Sequence, residues 1–343
     1  MSIRILQGGL LTTVQDLGRF HYQQFGVSPG GAMDSRSLRL ANLLVGNDVN
    51  EAGLEITILG PRIEFTSAAV IAVTGADLQP HLNGVPLEMY RAIRIEAGMV
   101  LSFQGPRSGC RSYLAVAGGL NIEPVMGSRS TMLKGGFGGY QGRRLQTGDE
   151  IGLRVSEAVV TNLEKRCMEP EDFSAREVTM RIILGPQDQR FTKQGVETLL
   201  HGTYCVGKDY DRMGYRLEGD VIEHATDANI ISDGIALGSI QVPGNGKPII
   251  MMADRQSTGG YTKIANVITV DIPKLAQCKE GDKISFQQVD IEEAHRLYAL
   301  EFQRYEQLKK EFEAVSTMKP GRKKNYQMTV NGVTYEVTVQ ENR

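Results

Sequence analysis

The placement of glycines after short apolar runs is the sequence feature that most constrains this fold. The chain holds 39 glycines in 343 residues, and many of them follow short runs of β-branched or other apolar residues. Two such runs, at positions 56–59 and 182–184, each end in a Gly-Pro pair. Gly and Pro at such positions favour turns between short strands. The pattern therefore predicts a mostly-β fold with few helices.

Two Asn-Gly pairs predict hairpins, because both residues tolerate the positive φ of a tight turn. The first pair, Asn83-Gly84, separates residues 79–82 from residues 85–87. The second pair, Asn331-Gly332, sits inside the alternating segment 327–339. An isolated two-stranded hairpin is marginally stable, so this second hairpin must pack on something or stay mobile.

Three segments have helical spacing. Asp34 is a candidate N-cap for a helix that runs to Val45 and stops at Gly46. Residues 188–200 carry apolar side chains at helical intervals. The clearest helix is predicted over residues 291–315, where a charged face opposes an apolar stripe of Ile291, Ala294, Leu297, Tyr298, Phe302 and Tyr305.

Length and a weak internal echo predict two related β-barrel domains. At roughly 100–200 residues per domain, this chain has room for two. Gly-Asp precedes a probable strand at positions 148–151 and again at 281–284. The predicted organisation is an N-terminal β-barrel domain over 1–160, a C-terminal β-barrel domain over 176–290, a long helix over 291–318, and a linker with a β-hairpin tail over 319–343. The charged segment 155–176 forms the junction.

Composition excludes several classes of function. The net charge of −2 gives no general attraction to nucleic acid or to an anionic membrane. The longest apolar runs fall far short of the ~20 residues of a membrane span, and the N-terminus lacks a secretory pattern. Four scattered cysteines suit a reducing compartment, and the histidines show no metal-ligand spacing. We expect a cytoplasmic protein with no metal site.

Six polar, glycine-rich segments stand out as candidate ligand-binding loops. They are residues 12–19, 26–34, 127–131, 211–216, 241–246 and 254–261. Each segment also has a structural interpretation: Asp211 and Arg212 suit an ion pair, 244–246 suits a hairpin turn, and Arg129 suits a loop brace as well as a bound anion. The presence of several such segments in one chain favours a binding site.

In order, these segments resemble one protein family. The motifs are TTVQDLGR, GAMDSRSLRLANLLVGN, GSRST, GPQDQRF, DRMGYRLEG, IQVPGNGKPI and DRQSTGGYTKIA, spread from about Gly8 to Phe286. The combination resembles the family of the KipI antagonist (KipA), also called the C-type subunit of 5-oxoprolinase. That family is similar to allophanate hydrolase subunit 2 and to half of the carboxyltransferase domain of urea carboxylase.

The resemblance implies cyclophilin-like β-barrels and a place in an ATP-dependent 5-oxoprolinase that opens 5-oxoproline to glutamate. The implied partners are a KipI-like B-type subunit and a third 5-oxoprolinase subunit, with ATP as a co-substrate that this chain alone does not bind. Two alternatives stay open. One is a biotin-dependent carboxyltransferase subunit acting on urea or a related amide. The other is a regulator that binds a KipI-like histidine kinase inhibitor.

The terminal hairpin resembles the first strands of a biotin carrier. The AMKM-type lysine motif of such a carrier does not follow before Arg343. We therefore expect that biotin is not attached to this chain, which favours the oxoprolinase over the carboxylase alternative.

Both of these chemistries require donors around an amide oxygen that gains negative charge. The predicted catalytic residues are Asp211, Arg212, Asp254 and Arg255. The predicted substrate-binding residues are Arg129, Tyr215, Gln241, Gly244, Asn245, Gly246, Gln256, Thr258, Tyr261 and Lys263. The three C-terminal loop segments that hold most of them are predicted to converge on one pocket, with Arg212 and Arg255 facing the oxyanion.

Overall fold

The structure is a computed structural model that describes residues 1–155 and 158–314, together with the backbone of residues 323–330 and 333–340. Its strands are β1 (Ser2–Gln7), β2 (Leu11–Gln15), β3 (Gly53–Thr57), β4 (Arg62–Phe65), β5 (Ala69–Asp77), β6 (Pro80–Leu82), β7 (Val85–Pro86), β8 (Ile93–Ile95), β9 (Val100–Phe103), β10 (Ser108–Val116), β11 (Glu150–Gly152), β12 (Glu177–Leu184), β13 (Tyr204–Tyr210), β14 (Gly214–Glu218), β15 (Asn229–Gly234), β16 (Ser239–Val242), β17 (Ile249–Met251), β18 (Thr258–Val267), β19 (Lys283–Gln288), β20 (Lys323–Val330) and β21 (Val333–Gln340). Its α-helices are α1 (Ser35–Leu44), α2 (Lys193–His201), α3 (Ile272–Gln277) and α4 (Ile291–Glu313). The predicted mostly-β class is confirmed.

The strands of the N-terminal half form two sheets. Their strand orders are β11-β1-β4-β9-β6-β7 and β2-β3-β10-β5-β8. One buried cluster takes side chains from both sheets, among them Ile3, Phe65, Leu54 and Val73. The two sheets therefore share a single apolar core.

The strands of the C-terminal half close into a ring. β12 pairs with β19 in parallel and with β18 in antiparallel, which completes the circuit β12-β19-β13-β14-β17-β16-β18, and β15 extends from β18. Ile182, Ile240, Ile250, Ile264 and Ile284 belong to its fully buried cluster. Strands β1–β11 pair among themselves, as do β12–β19. The domain boundaries predicted from the sequence remain a prediction.

Two of the predicted helices begin where the sequence predicts. Asp34 caps α1, and Asp290 caps α4 by accepting from the backbone N–H of Glu293 at 2.8 Å. The helix predicted over 188–200 is wrong in its first part, since a 3₁₀ turn (Asp188–Arg190) precedes α2. The chain is extended at Phe191, and the Thr192 hydroxyl then caps α2 by accepting from Gly195 at 2.9 Å.

The apolar stripe of α4 is only partly covered, contrary to the simplest interpretation of its periodicity. Tyr305 and Phe312 are buried in a cluster with side chains of α1. Ile291, Tyr298 and Phe302 are between 39% and 52% exposed. The C-terminal turns of α4 thus anchor the helix, while its N-terminal turns lie on the surface.

Both predicted hairpins are present. Asn83 and Gly84 have φ of 50° and 81°, and β6 and β7 pair through Leu82 and Val85. β20 and β21 pair in antiparallel up to Val330 and Val333. The tip at 331–332 and the linker at 319–322 lie outside the described residues, whereas Lys323 and Lys324 belong to β20 rather than to the linker. Within the part of the chain described, the helices lack the length and apolarity needed to cross a bilayer.

Replacement of Asp34 tests how much its buried carboxylate stabilises the fold. Its carboxylate accepts from the Ser37 backbone at 2.9 Å, the Ser37 hydroxyl at 2.6 Å and Gln277 Nε2 of α3 at 2.7 Å. Asp34→Ala is expected to lower the free energy of unfolding by about 2–4 kcal/mol, because it removes a cap and strands buried donors. Urea denaturation measures this. The control is exposed Asp172, which binds Ser174 in the same way; Asp172→Ala should cost about 0.5 kcal/mol or less. Equal losses would contradict the analysis.

Candidate functional site

A buried arginine joins the two halves of the molecule. Arg212 lies in the turn between β13 and β14, and it is 5% exposed. Its Nε and Nη2 donate to the two carboxylate oxygens of Asp254, both at 2.9 Å. Its Nη1 donates to Glu55 at 2.5 Å, and Nη2 also donates to the Gly31 carbonyl at 2.6 Å. Glu55 and Gly31 belong to the N-terminal half, so the hydrogen bonds of one guanidinium connect the two halves.

The opposite charges of this cluster stabilise one another. Burial by itself raises the pKa of Glu55, but the positive charges of Arg212 and Arg111 outweigh it and leave that pKa below its usual value. Burial likewise lowers the pKa of Arg212, and the charges of Asp254 and Glu55 more than reverse the effect. Glu55 and Arg212 are therefore both charged at neutral pH.

A cavity of about 670 Å³, the clamp cavity, lies beside this cluster. Asp211, Arg212 and Asp254 line it from the C-terminal half, and Leu10 and Lys134 line it from the N-terminal half. Three of the four predicted catalytic residues therefore share one cavity. Because Arg212 and Asp254 neutralise each other, little of their charge is available to a ligand.

A second cavity of about 570 Å³ adjoins the first, and we call it the glutamine cavity. Asp211, Gln241, Gln256 and Tyr261 line it. These four predicted site residues come from the three separate loop segments of the C-terminal half. The carboxylate of Asp211 is oriented here by the backbone N–H groups of Met213 and Gly214, at 2.7 and 3.1 Å.

Two side-chain amides that line the glutamine cavity each have a polar atom without a hydrogen-bond partner in the protein. Nε2 of Gln241 and Oε1 of Gln256 are buried without a protein partner. A Cβ placed on Gly259 would lie 2.9 Å from Gln241 Nε2 and 3.5 Å from Gln256 Nε2, so both amides converge on this glycine. A buried polar atom left unpaired costs about 1–3 kcal/mol. A free donor and a free acceptor beside one cavity complement an amide, whose carbonyl accepts and whose N–H donates.

Arg255 faces a third cavity, of about 690 Å³, which we call the arginine cavity. Its Nε donates to the carbonyl of Ile235 at 3.0 Å and its Nη1 to that of Met252 at 3.3 Å. Burial lowers the pKa of Arg255 to about 10. The prediction that Arg212 and Arg255 share one mouth is therefore wrong in its geometry. The carboxylates of the cluster turn Arg212 inward, and backbone carbonyls turn Arg255 to the other side.

Three more predicted residues lie away from the glutamine cavity. Tyr215 points into the core and accepts from Arg111 at 2.6 Å, since side chains alternate along β14 and its neighbours Gly214 and Arg216 face the cavity. Lys263 is buried and donates to Asp233 at 3.0 Å. Thr258 is exposed at the start of β18.

The remaining four have structural surroundings. Gly244, Asn245 and Gly246 form the turn between β16 and β17, in which the Gly246 N–H donates to the Pro243 carbonyl at 2.8 Å. Arg129 lies in the N-terminal half, where its backbone N–H donates to Asp16 at 2.6 Å and its Nε to the Ile122 carbonyl at 2.9 Å. These contacts match the turn and the loop brace that the sequence left open.

The sequence interpretation missed Glu55 and Arg111. Each is the single charge of a largely buried strand: Glu55 lies between Leu54 and Ile56 in β3, and Arg111 follows Cys110 in β10. A charge in such a strand must be paired when it is buried. That signal was available in the sequence, although it does not identify the partner.

The fold and these cavities define a mostly-β module. A closed ring of strands forms its C-terminal half and two sheets form its N-terminal half. Polar cavities open beside the junction of the two halves. Residues 25–288 match the family described as carboxyltransferase domain, subdomain A and B. The chain belongs to this family.

Two bacterial relatives correspond to nearly the whole chain, and both are named as the C-type subunit of 5-oxoprolinase. The chain is 39% identical over 306 residues to the protein of Escherichia coli, covering 89% of this chain and 97% of that protein. It is 35% identical to the protein of Haemophilus influenzae, covering 86% and 94%. The crystal structure of Kluyveromyces lactis urea carboxylase superimposes with a TM-score of 0.83 at 30% identity, covering 92% of this chain and 30% of that larger chain.

Arg212→Met tests the buried ion cluster. It removes the ion-pair partner that Glu55 and Asp254 share, so we expect a loss of about 3–5 kcal/mol in the free energy of unfolding at pH 7. In the native chain the lowered pKa of Glu55 contributes stability above its unfolded pKa and loses it as pH falls. Without Arg212, protonation relieves the unpaired carboxylates, so the deficit should be smaller at pH 5 than at pH 7.

The measurement is urea denaturation at both pH values, with exposed Arg216→Met as the matched control at about 0.5 kcal/mol or less. A deficit that grows on acidification would contradict the charge assignment.

Proposed function

We propose that this chain is the C-type subunit of a 5-oxoprolinase complex, which opens the lactam of 5-oxoproline to glutamate with consumption of ATP. The support from relatives is the identity to two proteins of that name over almost their full lengths. The proposed partners are a KipI-like B-type subunit and a third subunit. All four cysteines are free thiols, which suits work in the cytoplasm.

The structural observation that carries this proposal is the unpaired donor and acceptor in the glutamine cavity. A lactam presents one carbonyl oxygen and one N–H on the same edge of its ring. In this proposal Gln241 Nε2 donates to the oxygen, and Gln256 Oε1 accepts from the N–H; both atoms lack a partner within the protein. Lys208 and Arg216 also line this cavity and suit the carboxylate of 5-oxoproline.

Hydrolysis adds the oxygen of water to the lactam carbonyl carbon and breaks the ring C–N bond. One hydrogen of the water ends on the departing nitrogen, and the new acid group releases a proton. The donor from Gln241 stabilises charge that develops on the carbonyl oxygen. Asp211, whose Oδ1 is held by two backbone N–H groups, is the candidate to orient or deprotonate the water.

One structural comparison supports a second candidate function. The match to urea carboxylase, with a TM-score of 0.83, favours a carboxyltransferase acting on urea or a related amide with a separate biotin carrier. Both functions use a cavity that holds an amide, so the glutamine cavity serves either. The requirement for biotin separates them.

Activity of the assembled complex is the direct test. The chain should be co-expressed with the products of neighbouring genes, and glutamate release from 5-oxoproline should be measured with and without ATP. We expect release that requires ATP and is unaffected by avidin, and little or no turnover by the chain alone. Inhibition by avidin, or carboxylation of urea in place of glutamate release, would support the carboxyltransferase and overturn this proposal.

Gln241→Leu tests the amide contact. The variant removes the donor while keeping the side-chain volume, so we expect kcat/KM of the complex to fall about 10–100-fold. Thermal stability should be unchanged or slightly higher, because an unpaired buried group is lost. Gln194→Leu, on the exposed face of α2, is the matched control and should keep full activity. Normal turnover by the Gln241 variant would remove this cavity from the mechanism.

A further inference from the structure

The arginine cavity lies where both halves of the molecule meet helix α4. Phe20 and Met33 line it from the N-terminal half, Leu237 and Arg255 from the C-terminal half, and Tyr298 from α4. Its volume of about 690 Å³ falls within the ~300–1,000 Å³ typical of small-molecule sites. Among the residues described, it shares no lining residue with the glutamine cavity.

Arg255 stands in this cavity as a buried cation without a counter-ion. It is 8% exposed, and its Nε and Nη1 are bound to the carbonyls of Ile235 and Met252. Within the described ranges it forms no salt bridge, and Nη2 has no protein partner. A charge removed from water without a partner is strongly unfavourable, so an anion that reaches Arg255 gains a strong, charge-assisted hydrogen bond.

The other residues that line the arginine cavity have neutral or positively charged side chains. In the described part of the chain, no Asp or Glu lines this cavity. A second arginine, Arg39, lines it with its guanidinium over the rings of Phe302 and Tyr305, at 5.3 and 5.7 Å. Ser35, the first residue of α1, also lines the cavity, and the N-terminal end of a helix favours negative charge.

We propose that the arginine cavity binds a small organic carboxylate, whose oxygens pair with Arg255 and whose apolar body packs against Phe20, Met33 and Leu237. A planar carboxylate suits the planar guanidinium, and its single charge matches the single unpaired nitrogen of Arg255. Arg39 adds attraction from the wall of the cavity.

This inference goes beyond the proposed function, since it concerns a separate cavity. The two cavities are nevertheless linked by one loop, because its consecutive residues Arg255 and Gln256 line one cavity each. Occupation of one is therefore positioned to influence the other through this loop.

The test uses a pair of probes that differ in charge but not in shape. The purified full chain is titrated calorimetrically with cyclopentanecarboxylate and with its uncharged counterpart, cyclopentanecarboxamide. We expect the acid to bind and the amide not to bind. Arg255→Gln should weaken binding of the acid by at least about 30-fold, as expected for loss of one partner of a buried charge pair. Arg94→Gln, which changes an exposed arginine outside the cavity, is the matched control.

Ser35→Asp provides a second variant that does not remove the two carbonyl contacts of Arg255. It places a carboxylate in the cavity wall at a helix position that favours acids, so we expect an unchanged melting temperature and the same loss of binding. This variant carries the test if Arg255→Gln fails to fold. Gln241→Leu should bind the acid normally, so failure of the amide proposal and failure of this one are distinguishable.

Four results would overturn the inference: no binding of the acid by the native chain, equal binding of the amide, unchanged binding by folded Arg255→Gln or Ser35→Asp, or a preference for inorganic phosphate over the carboxylate. The last result would keep an anion site but assign it to a different ligand class.

Discussion

The buried ion cluster of Glu55, Arg212 and Asp254 is the interaction on which the rest of this structure depends. One guanidinium holds a strand of the N-terminal half, the Gly31 backbone and a loop of the C-terminal half. Removing charges from water is costly, so such a cluster adds less net stability than its short distances suggest. Its main effect is specificity of arrangement, because any other relative position of the halves would separate buried Glu55 from its ion-pair partner Arg212.

The cluster also decides what the neighbouring loops can do. Asp254 is fixed by Arg212, and the chain then passes through Arg255 and Gln256 before β18 begins. Asp254 pairs with Arg212, and the next two side chains line two different cavities. A neutral amide pair occupies one cavity, and an unpaired cation occupies the other. Three consecutive residues thus carry an ion-paired carboxylate, a cation bound to backbone carbonyls and a neutral amide.

Local signals in the sequence were sufficient for the mostly-β class, the hairpins and the starts of α1 and α4, but not for the direction of side chains in loops. Asn83-Gly84 defined a hairpin and Asp34 defined a helix start, because both effects act within a few residues. The orientation of Arg212 depends on Glu55, 157 positions away, which no local pattern reveals. For the same reason the sequence gathered the right loops around Gln241 and Gln256 but also assigned Arg255 to their cavity.

The neutral character of the two amides in the glutamine cavity explains why a partner and ATP fit the proposed reaction. Neutral amides can position a lactam and exclude wrong ligands, but hydrogen bonds from neutral groups are roughly half as strong as those from charged donors. Of the two arginines predicted to face the oxyanion, Arg212 is paired with Asp254, and Arg255 lines another cavity. The cations that do line this cavity, Lys208 and Arg216, are assigned to the carboxylate of the substrate. Stabilisation of a developing oxyanion by this chain alone is therefore modest. A stable lactam needs further activation, and a phosphoryl donor held by other subunits is the kind of group that can provide it.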